Sequence, residues 1–481
     1  MAWDTVIGLE VHVQLKTKSK LFSGSATKFG APPNSQTSLI DAGLPGVLPV
    51  LNKQAVLMAI QFGLAIKATI SQHSYFERKN YFYPDLPKGY QISQFKQPIV
   101  SDGQLTIELG PEEYKTITIT RAHLEEDAGK LLYEIDSQQT AIDLNRAGTP
   151  LLEIVTDPCI YSAKEAINYL KTLHQLVRFL DICDGNMQEG SFRCDVNISL
   201  KPAGSNKLGT RTELKNLNSF RFIEKAIAFE QLRQQDLLER GQPLYQETRS
   251  FCPITETTQL LRSKENELDY RYFPDPDLLP IEIKVEDIEL IRKQLPPLPQ
   301  EIKRNLISEA IFSSEDIQFL LSNPAIYQFF LKVREQSEAD GKLIVNWLKT
   351  TYTAALNDTA TTFDNPPVSA QLLAELLNHL KNQTISNAIA KQIFNKLLAG
   401  EKNIEKIIKN EGYGQMTNAD ELQQLIQALI AQYPEQAEEY RNGKEKLLAF
   451  FVGQVMKQTK GKANPEQINL LLKHYLQQPL N

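Results

Sequence analysis

The 481-residue chain has few cysteines and no paired cysteine motif. Its four cysteines are Cys159, Cys183, Cys194 and Cys252, and none stands in a C-x-x-C arrangement. A structural zinc site or a disulfide framework is therefore not expected, and we predict no zinc. A reducing cytoplasm is the expected compartment, because the chain starts with a charged strand and not with a signal peptide.

Long apolar runs are also missing, since no stretch approaches 18 residues. No membrane span or membrane partner is therefore predicted. The net charge of -6 disfavours nucleic-acid binding over the whole surface, and DNA is not an expected partner. A local basic patch can still attract phosphates, because charges are screened only beyond about 8–10 Å at physiological salt.

Common catalytic signatures are missing as well. The chain has no Walker loop, no G-x-G-x-x-G, no amidase signature and no recognisable Ser-His-Asp order. Nothing in the sequence therefore predicts hydrolysis of an amide.

Apolar residues, by contrast, are plentiful. They make up 42% of the chain, which is ample for well-packed cores. The length predicts about three domains at ~150 residues each. A stiff proline-rich stretch at 295–299 and a glycine-containing segment at 410–414 suggest the boundaries. We expect domains at 1–294, 295–408 and 409–481, with helical periodicity throughout the last two.

The segment 6–16, V-I-G-L-E-V-H-V-Q-L-K, alternates apolar and polar residues. A period of two predicts a half-buried strand. Its polar face carries Glu10, His12 and Gln14 at a spacing of about 7 Å. A carboxylate beside an imidazole is the minimum that a strand needs to hold a divalent cation, although most polar strand faces are simply solvated.

Other strands repeat this pattern. The segment 115–127 ends in His123-x-Glu125, and its odd-numbered residues from Ile117 onward are expected to share one face. Glu153 stands inside an apolar strand, where it is a metal ligand, a hydrogen-bond partner or an edge residue. The polar side chains expected on one functional face are Glu10, His12, His123, Glu125, Asp195, Asn197 and Glu213.

These strands predict an α+β fold built on one mostly antiparallel sheet. Carboxylates with one or two histidines suit Mg²⁺ or Mn²⁺ held together with water. Cations beside such a metal suit phosphoryl transfer, where catalysis is mainly positioning and charge neutralisation. The cations expected to bind phosphate or substrate are Arg193, Arg211, Arg249, Lys264 and Arg271. Lys264 and Arg262 also fit a plain solvated turn.

Two further segments suit nucleic-acid binding and an ordinary structural role about equally. Residues 75–94 interleave tyrosine and phenylalanine with cations, which suits base stacking but also a tyrosine-rich core edge. Between Arg441 and Lys462 six cations face one acid, which suits a phosphate backbone or a solvated lysine-rich face. The candidate phosphate-binding residues there are Lys444, Lys446, Lys457, Lys460 and Lys462.

Several long motifs resemble the GatB family, one of the subunit types of the aspartyl/glutamyl-tRNA amidotransferases. They include G-L-E-V-H-V-Q-L, Y-F-Y-P-D-L-P-K-G-Y-Q-I-S-Q, H-L-E-E-D-A-G-K, N-R-A-G-T-P-L-L-E-I-V, R-C-D-V-N-I-S-L and D-Y-R-Y-F-P-D-P-D-L. The tail from G-K-E-K-L-L-A-F-F-V-G-Q-V resembles the YqeY-like tail of that family. The match covers essentially the whole chain.

The resemblance implies a cradle domain with flanking helices and a kinase-type active site, followed by a helical domain and a helical tail. It implies a heterotrimer in which the two partners are an amidase and a small third protein. A GatB-type protein binds misacylated Glu-tRNA(Gln) or Asp-tRNA(Asn) and phosphorylates the side-chain carboxylate with ATP and Mg²⁺. Ammonia from the amidase then displaces the phosphate. The sequence leaves the choice between the two tRNAs open.

The resemblance also implies roles for individual residues. Glu10, His12 and Glu125 would be catalytic metal ligands, joined by Glu213 and, as a further ligand, Asp195. Lys79 and Lys88 would line the ammonia route, and the basic tail would contact the outer part of the tRNA. Two rival interpretations are a non-catalytic tRNA-binding scaffold and a metallohydrolase that acts alone.

Overall fold

The computed structural model describes residues 2–136, 139–263, 269–413, 419–459, 463 and 465–478. The chain divides into two compact units, Met1–Glu301 and Ile302–Asn481. The finer division of the sequence into three domains stays a prediction.

The strands lie in the first unit. They are β1 Trp3–Gln14, β2 Thr69–Ile70, β3 His73–Ser74, β4 Glu77–Asn80, β5 Tyr90–Ser93, β6 Val100–Gly110, β7 Glu113–Glu126, β8 Lys130–Asp136, β9 Gln139–Asp143, β10 Pro150–Thr156, β11 Phe192–Pro202, β12 Thr212–Lys215, β13 Glu247–Cys252, β14 Thr257–Ser263, β15 Phe273–Pro274 and β16 Ile281–Glu282.

Within the described residues, the largest sheet has nine strands in the order β14-β13-β12-β11-β1-β10-β7-β6-β2. Its neighbours pair antiparallel except β12 and β13, which run parallel. The predicted α+β class with a large, mainly antiparallel sheet is confirmed. Smaller sheets join β15-β4-β5, β16-β3 and β8-β9.

The helices of the first unit are α1 Lys53–Ala65, α2 Ala163–Phe179, α3 Phe220–Glu239 and α4 Val285–Gln294. Helix α1 packs against β6 and β7 of the main sheet, α2 packs against β6, and α3 packs against β11. The apolar side of β1 contributes Ile7, Leu9, Val11 and Val13 to this core, each at most 1% exposed. Helices on one face leave the other face of the sheet to polar side chains.

Strand β7 departs from the predicted alternation. Its pairing with β10 shifts in register between Arg121 and Ile119. Such a bulge inserts an extra residue, so the side chains on either side of it change faces. Ile117 and Ile119 consequently lie in the helix-covered core, whereas His123 pairs opposite Glu153. The prediction that all the odd-numbered residues of this strand share one face was wrong.

In the described residues beyond Gln294, every regular element is helical. The α-helices are α5 Pro299–Ser308, α6 Ser314–Ser322, α7 Pro324–Gln336, α8 Gly341–Trp347, α9 Thr353–Asp358, α10 Ala370–Lys381, α11 Asn387–Leu398, α12 Ile404–Glu411, α13 Ala419–Gln432, α14 Pro434–Arg441, α15 Leu447–Gln458 and α16 Pro465–Leu476. A π-helical turn, Leu348–Tyr352, joins α8 to α9. Helices α13 to α16 share a core of their own.

None of the helices in the described ranges is long and apolar enough to cross a membrane.

Asp316 is a buried residue that links α6 to α8 in the second unit. It forms a reciprocal capping box with Ser313 at the start of α6. Its carboxylate also contacts Lys342 of α8 and lies 3.2 Å from Lys349 Nζ, while its side chain is 2% exposed. Burial would raise the pKa of Asp316, but hydrogen bonds from Lys342 and Ser313 lower it well below its ordinary value of 3.8.

We therefore expect Asp316→Ala to lower the free energy of unfolding by about 1–3 kcal/mol, because it breaks the capping box, removes the ion pair with Lys342 and takes away one of two carboxylate partners of Lys349, which keeps Glu315 at 2.9 Å. A carboxylate with a lowered pKa stabilises above its ordinary pKa, so the difference should shrink as the pH falls below about 4. Urea denaturation at several pH values measures it. Glu315→Ala is the control, since that side chain is 80% exposed and its removal should cost less than about 1 kcal/mol. Equal losses for the two variants would contradict this account.

Candidate active site

The polar face of the main sheet is organised in rows that run across the strands. His12 of β1 pairs opposite Glu153 of β10, and Glu153 pairs opposite His123 of β7. In the next row Glu10 pairs opposite Asp195 of β11. Because paired residues on one face of a sheet have neighbouring side chains, the register alone brings these groups together.

The first cluster consists of His12, Glu125 and Glu153. His12 Nε2 lies 3.6 Å from Glu125 Oε1 and 3.5 Å from Glu153 Oε2. His123 adjoins it, with its Nε2 3.3 Å from Glu153 Oε2 and 3.7 Å from Glu125 Oε2. His12, Glu125 and Glu153 each offer one potential ligand atom, and these three atoms lie within 4.8 Å of one another.

The second cluster consists of Glu10, Asp195 and Glu213, whose ligand atoms also lie within 4.8 Å of one another. Asn197 Nδ2 donates to Glu10 Oε1 at 2.8 Å. Lys215 Nζ lies 2.5 Å from Asp195 Oδ2 and 3.2 Å from Glu213 Oε1. The predicted ligands thus form two neighbouring clusters and not a single set.

The histidines and carboxylates of the first cluster shift one another's pKa. Burial lowers the pKa of His123, but the carboxylates of Glu153 and Glu125 outweigh it and raise that pKa to about 9. Burial likewise opposes protonation of His12, whose pKa is nevertheless raised by Glu153. The pKa of Glu153 lies well below its ordinary value because His123 and His12 outweigh the effect of burial.

The second cluster brings three carboxylates close together. Burial raises the pKa of Glu10, and the nearby carboxylate of Glu153 raises it further. A divalent cation would stabilise the negative charge of these neighbouring carboxylates.

Both clusters fit a divalent cation. Carboxylate oxygens and an imidazole nitrogen are ligands that Mg²⁺ and Mn²⁺ accept. Within the described residues, the buried Nδ1 of His123 has no hydrogen-bond partner, which is unusual for a buried polar group. A histidine nitrogen binds a cation only as the neutral imidazole, so metal binding at His12 would be coupled to its protonation.

Both clusters open into one cavity of about 380 Å³. Arg193 and Arg211, two of the predicted phosphate-binding residues, line it. Arg193 Nη1 and Nη2 bind the carboxylate of Asp127 at 2.9 and 3.1 Å, and Gln14 donates to the same carboxylate. Arg193 is therefore fixed in place, whereas Arg211 pairs with no carboxylate in the described ranges and is exposed.

Two other predicted phosphate-binding residues, Arg249 and Arg271, do not line the cavity. Arg249 points to the helix side of the sheet, where Nη1 lies 2.9 Å from Glu247 Oε2 and Nε lies 3.7 Å from Glu230 Oε2. The reason is alternation, since its neighbour Thr248 faces the cavity side. Arg271 is exposed and does not line the cavity. Lys264 lies outside the described residues.

The two residues predicted for the ammonia route have different surroundings. Lys79 lines the cavity, with Nζ 4.9 Å from the ring centre of Tyr270 and 5.7 Å from that of Tyr81. Lys88 forms an ion pair with Glu126 and is 12% exposed, but does not line the cavity.

The predicted tRNA-binding lysines belong to the second unit. Lys444, Lys446 and Lys457 are exposed, and Lys444 Nζ lies 3.0 Å from Glu439 Oε1. Lys460 and Lys462 lie outside the described residues.

Among the cavity residues outside the predicted site residues are Glu153 and Arg262. The sequence leaves Glu153 three possible roles, and a carboxylate inside an apolar strand is the signal that favours a role as a ligand. Arg262, which also fits a solvated turn, lines the same cavity.

The chain also matches models of known protein families. Residues 5–289 match the model of the GatB/GatE catalytic domain, and residues 328–476 match a second model described as a GatB domain. The chain belongs to the GatB family.

Members of the GatB family match over the full length. The GatB-type component of the aspartyl/glutamyl-tRNA(Asn/Gln) amidotransferase of Legionella pneumophila strain Lens is 65% identical over 476 residues, which is 99% of this chain and 100% of the relative. Proteins of the same name from Thioalkalivibrio sulfidiphilus and Coxiella burnetii strain CbuG_Q212 are 54% and 52% identical over 477 residues, with the same coverage.

The geometry of this GatB-family site predicts that Glu153 binds metal. We expect Glu153→Gln to weaken Mn²⁺ binding at least about tenfold. In metal sites, even the loss of a residue that only hydrogen-bonds to a ligand weakens metal affinity by about that much. Titration of the protein with Mn²⁺, followed by electron paramagnetic resonance, measures the affinity. Glu113→Gln, an exposed residue at the start of β7, is the matched control. Unchanged binding in Glu153→Gln would exclude this role.

Proposed function

We propose that this chain is the GatB component of an aspartyl/glutamyl-tRNA(Asn/Gln) amidotransferase and carries the site that activates the carboxylate of the misacylated tRNA. The observation that carries the proposal is the cavity in which two carboxylate-rich clusters lie beside arginine and lysine side chains. Family membership and a full-length match to relatives of that name support the proposal.

Mg²⁺ or Mn²⁺ would be held by His12, Glu125 and Glu153 and by Glu10, Asp195 and Glu213. When bound, such a cation neutralises the charge of the transferring phosphoryl group. Asn197, Lys215 and Asp127 contact the ligands or their neighbours and keep them oriented. Arg211 lies at the edge of the cavity with no carboxylate partner in the described ranges, so it is the cation best placed to bind a phosphate.

A second cavity of about 220 Å³ adjoins the first and shares Glu10, Asn197 and Arg211 with it. Its walls include Val6, Leu208 and Gly8, and a methyl group added at Gly8 would come no closer than 3.9 Å to a neighbour. We assign this largely apolar space to the base of ATP. Its phosphates would then extend past Arg211 toward the carboxylate clusters.

The chemistry follows from the poor reactivity of a carboxylate. Its oxygen attacks the γ-phosphorus of ATP, the bond to ADP breaks, and an acyl phosphate forms. Ammonia then attacks the carbonyl carbon and phosphate leaves, which gives the amide of Gln-tRNA(Gln) or Asn-tRNA(Asn). Binding energy from the distant tRNA body holds the reacting end in place.

The ammonia has to come from elsewhere, because the sequence offers no amidase signature. We propose a heterotrimer with two partners, a glutamine-hydrolysing amidase and a small third protein, with Lys79 and Lys88 along the ammonia route. We propose a cradle domain, a helical domain and a YqeY-like tail in a cytoplasmic protein. The exposed lysines of the tail would bind the tRNA backbone.

The proposal predicts that Glu10→Gln lowers ADP formation dependent on misacylated tRNA by at least about 100-fold, since one charge-stabilising group is lost. The assay uses the complex with both partner proteins. Glu189→Gln, which is exposed, is the control. A folded Glu10→Gln protein with full turnover would favour the non-catalytic scaffold, whereas hydrolytic activity of the isolated chain would favour a metallohydrolase that acts alone.

The base cavity makes a separate prediction. Gly8→Val should raise the KM for ATP about tenfold or more, because its branched side chain occupies space between Val6 and Leu208. Gly8→Ala is the control, since its methyl group meets nothing closer than 3.9 Å. Steady-state ADP formation at varied ATP measures both. An unchanged KM in a folded Gly8→Val protein would place the base elsewhere.

A further inference from the structure

Thr248 is a buried residue that contacts the second carboxylate cluster from a neighbouring strand. Its hydroxyl donates to Glu213 Oε2 at 2.7 Å. Thr248 is 1% exposed and Glu213 8% exposed, so water competes little for this hydrogen bond. The two residues pair directly across the parallel β12–β13 ladder, which places their side chains on the same face.

Each carboxylate of the cluster has a donor of this kind. Glu10 accepts from Asn197, Asp195 accepts from Lys215, and Glu213 accepts from Thr248. Asn197 and Lys215 are themselves cavity residues, but Thr248 does not line the cavity. Thr248 therefore contacts a carboxylate from behind, in the way that outer partners orient the ligands of a metal.

The strand that carries Thr248 is held firmly on its other side. The adjacent Arg249 donates to Thr258 Oγ1 and to Glu247 Oε2, both at 2.9 Å. Thr258 Oγ1 in turn donates to Glu230 Oε2 of α3 at 3.1 Å, and Glu230 is fully buried. These contacts restrict rotation of β13, so that Thr248 stays directed at Glu213.

The pairing of β13 with β14 is irregular at this point. The register shifts between Thr248, which pairs with Arg262, and Arg249, which pairs with Leu260. A bulge bends its strand and redirects side chains locally. Arg262 lines the cavity, so the irregularity lies beside the site.

We propose, on the basis of the metal-dependent function above, that Thr248 is a positioning residue. Its hydroxyl fixes the orientation of the Glu213 carboxylate so that the second cluster is arranged to receive a divalent cation. Without the hydroxyl, Glu213 has more orientations available, and binding of the cation must select one of them.

The test compares Mn²⁺ affinity in full-length variants. Thr248→Val removes the hydroxyl and keeps the shape, and we expect about tenfold weaker Mn²⁺ binding at the site that Glu213→Gln eliminates. Thr248→Ser restores a hydroxyl and should bind within about twofold of the wild type. Thr106→Val is the matched control, since its hydroxyl contacts Thr116 on β7 and not the cluster. Thermal unfolding checks each fold, and Thr248→Ala carries the same expectation if Thr248→Val does not fold.

The outcomes separate this inference from the function on which it rests. Wild-type affinity in Thr248→Val or Thr248→Ala, together with lost binding in Glu213→Gln, would overturn the role of Thr248 and leave the metal site intact. Wild-type affinity in Glu213→Gln as well would overturn the site itself. Equal weakening in the serine and valine variants would also overturn the proposal, because the loss would not follow the hydroxyl.

Discussion

The accumulation of carboxylates on one face of the main sheet is the constraint on which the rest of this unit depends. Buried like charges raise each other's pKa and destabilise a fold unless they are compensated. Here His12 and His123 lie beside the carboxylates of one cluster, and Lys215 pairs with carboxylates of the other. A divalent cation would stabilise the clustered carboxylates further, which is the basis of the proposed metal sites.

The opposite face of the sheet keeps this arrangement rigid. Helices α1, α2 and α3 cover it, and β1 alone places Ile7, Leu9, Val11 and Val13 in the core. A strand whose apolar side is packed in this way cannot shift by one residue without burying its polar side. The same register that builds the core therefore fixes which acids lie opposite which histidines.

Much of this could be predicted from the sequence, because the alternation is local. The polar face of β1, with Glu10 and His12, follows directly from a period of two. Pairing between distant strands does not follow from the local sequence pattern. The sequence therefore could not predict that the ligands divide into two clusters, or that Glu153 contacts both histidines. The predictions for β7 and for Arg249 were wrong for the same reason. The bulge in β7 and the orientation of Arg249 each depend on the register of a neighbouring strand.

We propose that each of the two carboxylate clusters on this face of the sheet holds a divalent cation. Anomalous X-ray scattering from crystals of the protein soaked in Mn²⁺ tests it most directly. We expect one peak among His12, Glu125 and Glu153 and another among Glu10, Asp195 and Glu213. Saturating Mn²⁺ that produces no peak at either cluster would contradict the account.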